Sequence, residues 1–208
     1  MLILALDTTA HFGSVALLED AAVVEEVLLH SPEGFGPVLF GQIEALLRRH
    51  GATVSEVGLF AAAAGPGSFT GVRVGLTAVK GLAEACGRPV VGVSNLMALA
   101  ECGTKPLRAA LLDARRGEIY GAVYDAGLRV VRPEVVMAFP DWFAGLPDGV
   151  EFVSTDLGPF RAYVGNGVER RALAGAVGRV ALRLPGLDAA AVDANYVRRA
   201  DAELLWKG

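Results

Sequence analysis

Cys86 and Cys102 are the only cysteines in 208 residues. One falls in a predicted helix and the other opens a glycine-containing loop. They therefore form neither a metal-ligand spacing nor a disulfide framework, and a reduced, cytoplasmic setting is the expectation. Histidine is nearly as scarce. His11, His30 and His50 include no pair at i, i+4, so the spacing offers no metal site and leaves each histidine without an evident partner. The formal net charge is −4 and no Lys/Arg-rich run occurs. This argues against strong independent binding to nucleic acid, though not against a role beside a basic partner that holds RNA. No apolar run reaches membrane-spanning length, and the first residues carry no basic stretch or cleavage site, so no membrane role is expected. Apolar residues are plentiful. Hydrophobic residues make up 53% of the chain against 20% charged, enough for the core of one domain or of two small ones.

Glycine is also abundant, and the chain is organised around Gly65-Pro66-Gly67-Ser68-Phe69-Thr70-Gly71-Val72-Arg73. Residues 58–64 before it are apolar and uncharged, which predicts a buried strand, and residues 70–86 after it predict a helix. Glycines permit a sharp strand-to-helix turn, Pro66 fixes one φ, and Ser68 is placed to cap the helix. Backbone N–H groups at such a turn suit an anion; the same sequence also suits a tight connection that binds nothing. The Walker pattern fails because Val72 and Arg73, not Lys and Ser/Thr, follow Gly71. The Rossmann fingerprint fails because Thr70 stands where its third glycine belongs.

At 3.6 residues per turn, Val72, Leu76, Val79, Ala83 and Cys86 share one face of the predicted helix. Gly71, Gly75, Ala78, Leu82 and Ala85 form an adjoining face of small and apolar residues. Arg73, Thr77, Lys80 and Glu84 make a polar stripe. The apolar arc is wider than one sheet contact requires, so a second helix is expected on the small face, either the chain's own or another chain's. A predicted helix at 37–50 starts at Pro37 and stops at Gly51, with Leu39, Ile43, Leu46 and Leu47 as its apolar stripe.

The opening residues read as a three-stranded meander. Asp7 ends the first strand and Thr8, Thr9 and Ser14 follow it. Asp7 either holds a metal-bound phosphate, with those hydroxyls donating to phosphate oxygens, or caps the turn. A strand at 88–93 leads through Ser94, a predicted cap, into a helix at 95–102. From Leu107 the plan recurs: apolar strand, Asp113, polar turn, Gly117, alternating strand. A duplicated α/β unit with two Asp turns follows, divided into lobes 1–104 and 105–208. Residues 127–137 read as extended but broken at Pro133. A short helix is predicted near Trp142 and a strand at 151–153. Residues 160–168 give no clear pattern, 172–184 predict a helix, and 195–204 predict a loop then a helix that packs back on the first lobe.

These motifs resemble the TsaB (YeaZ) family of partner subunits in tRNA threonylcarbamoyladenosine formation. The resemblance rests on 3–9, on 65–76, on Lys80-Gly81-Leu82-Ala83, on 91–96, on 112–120 and on Tyr196-Val197-Arg198-Arg199-Ala200. Residues 139–192 match little. The resemblance implies an actin-like, Hsp70-like ATPase fold in two lobes. It implies pairing with the catalytic paralogue TsaD, a larger assembly containing the ATPase TsaE, and a homodimer when alone. In that assembly adenosine 37 of tRNAs reading ANN codons is modified, with tRNA touched only indirectly by this chain.

The paralogue carries a metal-binding histidine pair on its first helix. Here residues 30–42 offer only His30, so weak or no intrinsic activity is expected. The resemblance places the partner or dimer surface on the two helices, with Leu39, Ile43, Leu46, Gly71, Gly75, Ala78, Leu82 and Ala85. On that reading, Gly75→Arg and Leu82→Glu abolish pairing. Gly65, Pro66, Gly67, Ser68, Phe69, Thr70 and Arg73 are candidates for an anion or nucleotide at the partner junction, the one place where ATP or ADP is expected. Asp7, Thr8, Thr9, Ser14 and Asp113 form a vestigial phosphate turn. No cofactor or metal is required by the chain itself. The competing reading is an ATP-binding or ATP-hydrolysing enzyme of the same superfold. Ala10, His11 and Phe12 count against it, since they stand where a phosphate loop wants glycine, and no second-lobe Gly-Gly motif is found. A peptidase has no Ser/His/Asp set or metal pair to support it.

Overall fold

A computed structural model describes residues 1–197. The chain opens with β1 (Leu2–Asp7), β2 (Phe12–Glu19) and β3 (Ala22–His30), an antiparallel meander. After α1 (Gly36–Arg49), β4 (Leu59–Gly65) joins β1 in parallel. After α2 (Phe69–Cys86), β5 (Val90–Ser94) joins β4 in parallel. The sheet order is β3-β2-β1-β4-β5, and α3 (Asn95–Glu101) follows.

The second half repeats this. β6 (Leu107–Arg115), β7 (Glu118–Asp125) and β8 (Val130–Ala138) form a second meander. Then come α4 (Phe139–Ala144), β9 (Glu151–Ser154), α5 (Arg161–Val164), β10 (Val168–Glu169) and α6 (Ala174–Ala181). The order β10-β9-β6-β7-β8, with β9 parallel to β6 and β10 parallel to β9, matches the first sheet strand for strand. The duplicated, actin-like two-lobe α/β plan is therefore present.

The layers follow from strand periodicity. Side chains alternate across a strand, so in the first sheet Leu4, Leu6, Phe60 and Ala62 face α1 and α2, while Ile3, Ala5, Ala61 and Ala63 face α3 and α6. β4 is buried along its whole length because helices cover both its faces, and its four alanines let them approach. The second sheet presents Ala110, Leu112, Ala122 and Tyr124 to the same α3/α6 layer. Its far side is closed by Phe139, Trp142, Phe160 and Val164 around α4 and α5.

Three expectations change. β8 runs unbroken through Pro133, because β8 is an edge strand and an irregular register with β7 leaves no N–H needed there. The unclear stretch 160–168 holds α5 and the start of β10. The helix expected at 172–184 is only α6, Ala174–Ala181, and it packs on β1, β2, β4 and β5 of the first sheet. Of the predicted terminal helix, everything beyond Val197 lies outside the described residues.

Candidate functional site

The Asp7 turn and the glycine turn are one structure. Asp7 is 1% exposed. Its Oδ1 accepts from the N–H and the hydroxyl of Thr9, at 2.9 and 2.6 Å, and its Oδ2 is buried with no hydrogen-bond partner among the described residues. Burial pushes the Asp7 carboxyl up from its ordinary value; the Thr9 bonds oppose this and the charge of Glu26 adds to it. The Thr8 hydroxyl donates to the Gly71 carbonyl at 2.7 Å. The Ser68 N–H donates to the Thr9 carbonyl at 2.7 Å, and the Ser68 hydroxyl accepts from the Gly71 N–H at 3.3 Å, the expected helix cap.

Asn95, which the sequence reading passed over, joins the two turns. Its Oδ1 accepts from the Gly65 N–H at 2.9 Å and its Nδ2 donates to the Thr9 hydroxyl. Gly65 has φ +105°, a region that favours glycine, and its open side faces the Asn195 carbonyl. Ser14 is fully buried and accepts from the N–H groups of Leu173 and Ala174, so it caps α6. The hydroxyls expected to donate to a phosphate are thus engaged within the chain. Asp113 stays on the surface, its side chain 37% exposed, and accepts from the Arg115 N–H at 2.8 Å to close its own turn. His11 and His30 do have partners: their Nε2 atoms are 3.0 Å apart, and His50 lies 2.6 Å from Glu25.

The small face of α2 meets this turn and not a foreign helix. A Cβ on Gly71 would lie 2.0 Å from the Thr8 carbonyl oxygen, and one on Gly75 would lie 2.6 Å from the Thr8 hydroxyl. Of the residues assigned to a partner surface, Leu39, Ile43, Leu46, Gly71, Gly75 and Ala78 are buried inside this chain. Leu82 is half-buried and Ala85 exposed. At Gly71 and Gly75 the neighbour that the wide apolar arc demanded is the chain's own β1–β2 turn.

Two of those residues, Leu39 and Ala78, also line an adjoining surface of the same two helices that solvent reaches. Between the N-terminal halves of α1 and α2 lies an open groove of about 450 Å³, lined by residues including Leu39, Phe40, Phe69, Arg73, Val74 and Thr77. Phe40 is 56% exposed and Phe69 44%. The Arg73 guanidinium sits 3.6 Å from the Phe69 ring centroid and its Nε donates to the Tyr196 hydroxyl at 3.2 Å. An apolar groove with two exposed phenylalanines and an arginine is the composition of an interface centre, not of ordinary surface.

A family model described as TsaD, tRNA N6-adenosine threonylcarbamoyltransferase, matches residues 38–148. The chain is 35% identical over 150 residues to the tRNA threonylcarbamoyladenosine biosynthesis protein TsaB of Escherichia coli K12, covering 65% of this chain and 64% of that one. It is 31% identical over 153 residues to the Bacillus subtilis protein of the same description, covering 71% and 67%. The chain belongs to the TsaB (YeaZ) family. It spans about two thirds of the length of these curated TsaB relatives. The solved structure of Pseudomonas aeruginosa YeaZ superposes with a TM-score of 0.76 at 27% identity, over 94% of this chain and 99% of that one. A second Pseudomonas aeruginosa structure, described as similar to peptidase YeaZ, superposes at 0.79 and 26% identity over 95% and 99%. The TsaD-model match runs from α1 to just past α4, so it includes both helices of the groove. Among the described residues no helix is long and apolar enough to cross a membrane.

Proposed function

We propose that this TsaB-family chain is a non-catalytic subunit of tRNA threonylcarbamoyladenosine formation, and that it acts by docking the catalytic paralogue TsaD on the α1/α2 groove. The observation that carries the reading is the groove itself, with Phe40 and Phe69 open to solvent on a scaffold whose other apolar helix surface is already covered. A partner helix laid along it buries both rings, and ring-filled pockets dominate interface energetics. Transfer of the threonylcarbamoyl group to adenosine belongs to the paralogue; this chain holds it in its active arrangement, and TsaE joins the larger assembly. When TsaD is absent a second copy uses the same groove. The chain needs no cofactor of its own, and ATP or ADP belongs at the junction with the partner.

Of the two substitutions suggested by sequence, Gly75→Arg is the wrong probe because it drives a side chain into Thr8 and disturbs the fold. Phe40→Asp leaves the core untouched. It is expected to weaken association with purified TsaD by at least about 2 kcal/mol, roughly thirtyfold, while the melting temperature of the isolated chain is unchanged. Calorimetric titration and size-exclusion chromatography read both. Unaltered affinity in the folded variant removes the groove from the interface.

A further inference from the structure

On the opposite side of the first sheet from the groove, β3, α3, β10 and α6 enclose a pocket of about 370 Å³. Its charged lining is Glu26, Glu101, Glu169, Arg170, Arg171 and Arg179. We propose that this pocket binds a small phosphorylated molecule through Arg170, Arg171 and Arg179.

Three carboxylates and three guanidiniums line the pocket, and two of the carboxylates, Glu101 and Glu169, are also paired with Arg183 and Arg161 from outside the lining. Each carboxylate is engaged inside the chain. Glu101 accepts from Arg179 Nε at 3.3 Å and lies 3.4 Å from Arg183. Glu169 is paired with Arg161 and accepts from the Leu157 N–H at 3.1 Å. Glu26 accepts from the Gly175 N–H at 2.8 Å. Among the described residues, Arg170 meets no carboxylate, and Arg171 has only the Phe12 ring, 5.1 Å away. Arg170 and Arg171 thus line the cavity without a carboxylate partner among the described residues. Arg179 lines the same cavity, with its Nε bonded to Glu101. The thiol of Cys102, which also lines the pocket, feels both Arg179 and Arg170 pulling its pKa down against the upward push of burial, so the two charges converge on the same space.

Guanidinium forks match the oxygens of a phosphate, and several converging on one anion give charge-assisted hydrogen bonds. The first N–H groups of α6 contribute nothing, because Ser14 and Glu26 already hold them. The three carboxylates also set the ligand's class. A polyanion lying across the pocket would meet them along its length, whereas a compact phosphomonoester meets the guanidiniums with its phosphate and offers hydroxyls to the carboxylates. The volume stands near the lower end of small-molecule sites. The pocket shares no residue with the α1/α2 groove, so this inference and the docking reading hold or fail separately.

The test is calorimetric titration of the full chain with inorganic phosphate, with AMP, and with sodium chloride at matched ionic strength. Saturable one-to-one binding of phosphate or AMP is expected, weakened at least tenfold in the Arg170→Ala/Arg171→Ala variant and unchanged in Arg88→Ala. In the unsubstituted chain the same ligand should slow alkylation of Cys102 and leave Cys86 unaffected, a readout that does not depend on the variant folding. The proposal is overturned by any of three results: no saturation by phosphate or AMP below about 10 mM, undiminished binding in the folded double variant, or binding that an RNA oligonucleotide shows and AMP does not.

Discussion

Asp7 holds a carboxyl group in the driest part of the molecule with one oxygen bonded and the other bare. Burial raises its pKa in the folded chain above the ordinary value of 3.8. The folded state then binds the proton more tightly than the unfolded state. The resulting stability is fully present below the unfolded pKa and is lost as pH rises through the folded one. Asp7→Asn keeps an oxygen for the Thr9 N–H and hydroxyl but cannot ionise. Urea titrations from about pH 4 to neutrality should therefore show the variant gaining on the wild type as pH rises. A difference that is flat across that range would mean Asp7 titrates normally. Some of this site was legible in the sequence. The caps by Ser68 and Ser94 were, because a cap and the N–H groups that donate to it lie within three residues. Asn95 and Ser14 were not. Their partners stand 30 and 159 residues away, and no local pattern marks a side chain that serves a distant backbone.

At the scale of elements, α2 shows what periodicity can and cannot reveal. The spacing of Gly71, Gly75 and Ala78 identified a face that something approaches closely, and something does. At Gly71 and Gly75 its identity is set by tertiary structure, since Thr8 and Thr9 of the β1–β2 turn fold under the helix from more than 60 residues away. The same helix offers a paired measurement. At Gly71 an added methyl meets a backbone oxygen at 2.0 Å, so Gly71→Ala should destabilise by about 2 kcal/mol or more, despite alanine's better helix propensity. At Gly81 an added methyl meets nothing within 4 Å. Gly81→Ala should therefore stabilise by roughly 0.5–1 kcal/mol. Chemical denaturation of the isolated chain reads both. Equal signs at the two positions would contradict the packing described for α2.

At the scale of the whole molecule, the repeated strand order was visible from the two Asp turns, yet the two lobes are not equal partners. Glu134 of β8 accepts from the Ser94 hydroxyl, from the Tyr124 hydroxyl at 2.9 Å and from Asn195 Nδ2 at 2.7 Å, which ties the second sheet to the first helix-and-turn layer. Contact with Glu134 and burial both push the Tyr124 phenol well above its usual range, burial being the larger cause. The middle layer is shared as well. α3 follows the last strand of the first repeat and α6 that of the second, and both lie in one apolar cluster with both sheets. Repetition could suggest two self-sufficient halves, but part of the first sheet's inner face is covered by α6 of the second half.

That borrowing bears on how the protein is made. The β1–β3 meander emerges from the ribosome before α6, so Ser14 waits for Leu173 and Ala174 before its hydroxyl acquires the N–H groups it caps, and Leu18 waits for Gly178. Until translation passes residue 181, Ile3, Ala5, Ala16 and Leu18 have no α6 to cover them. A fragment ending at residue 104 should accordingly lack a cooperative thermal transition and bind a hydrophobic dye, where the full chain melts in one step. The meander is, in this sense, made before α6 and finished only after it.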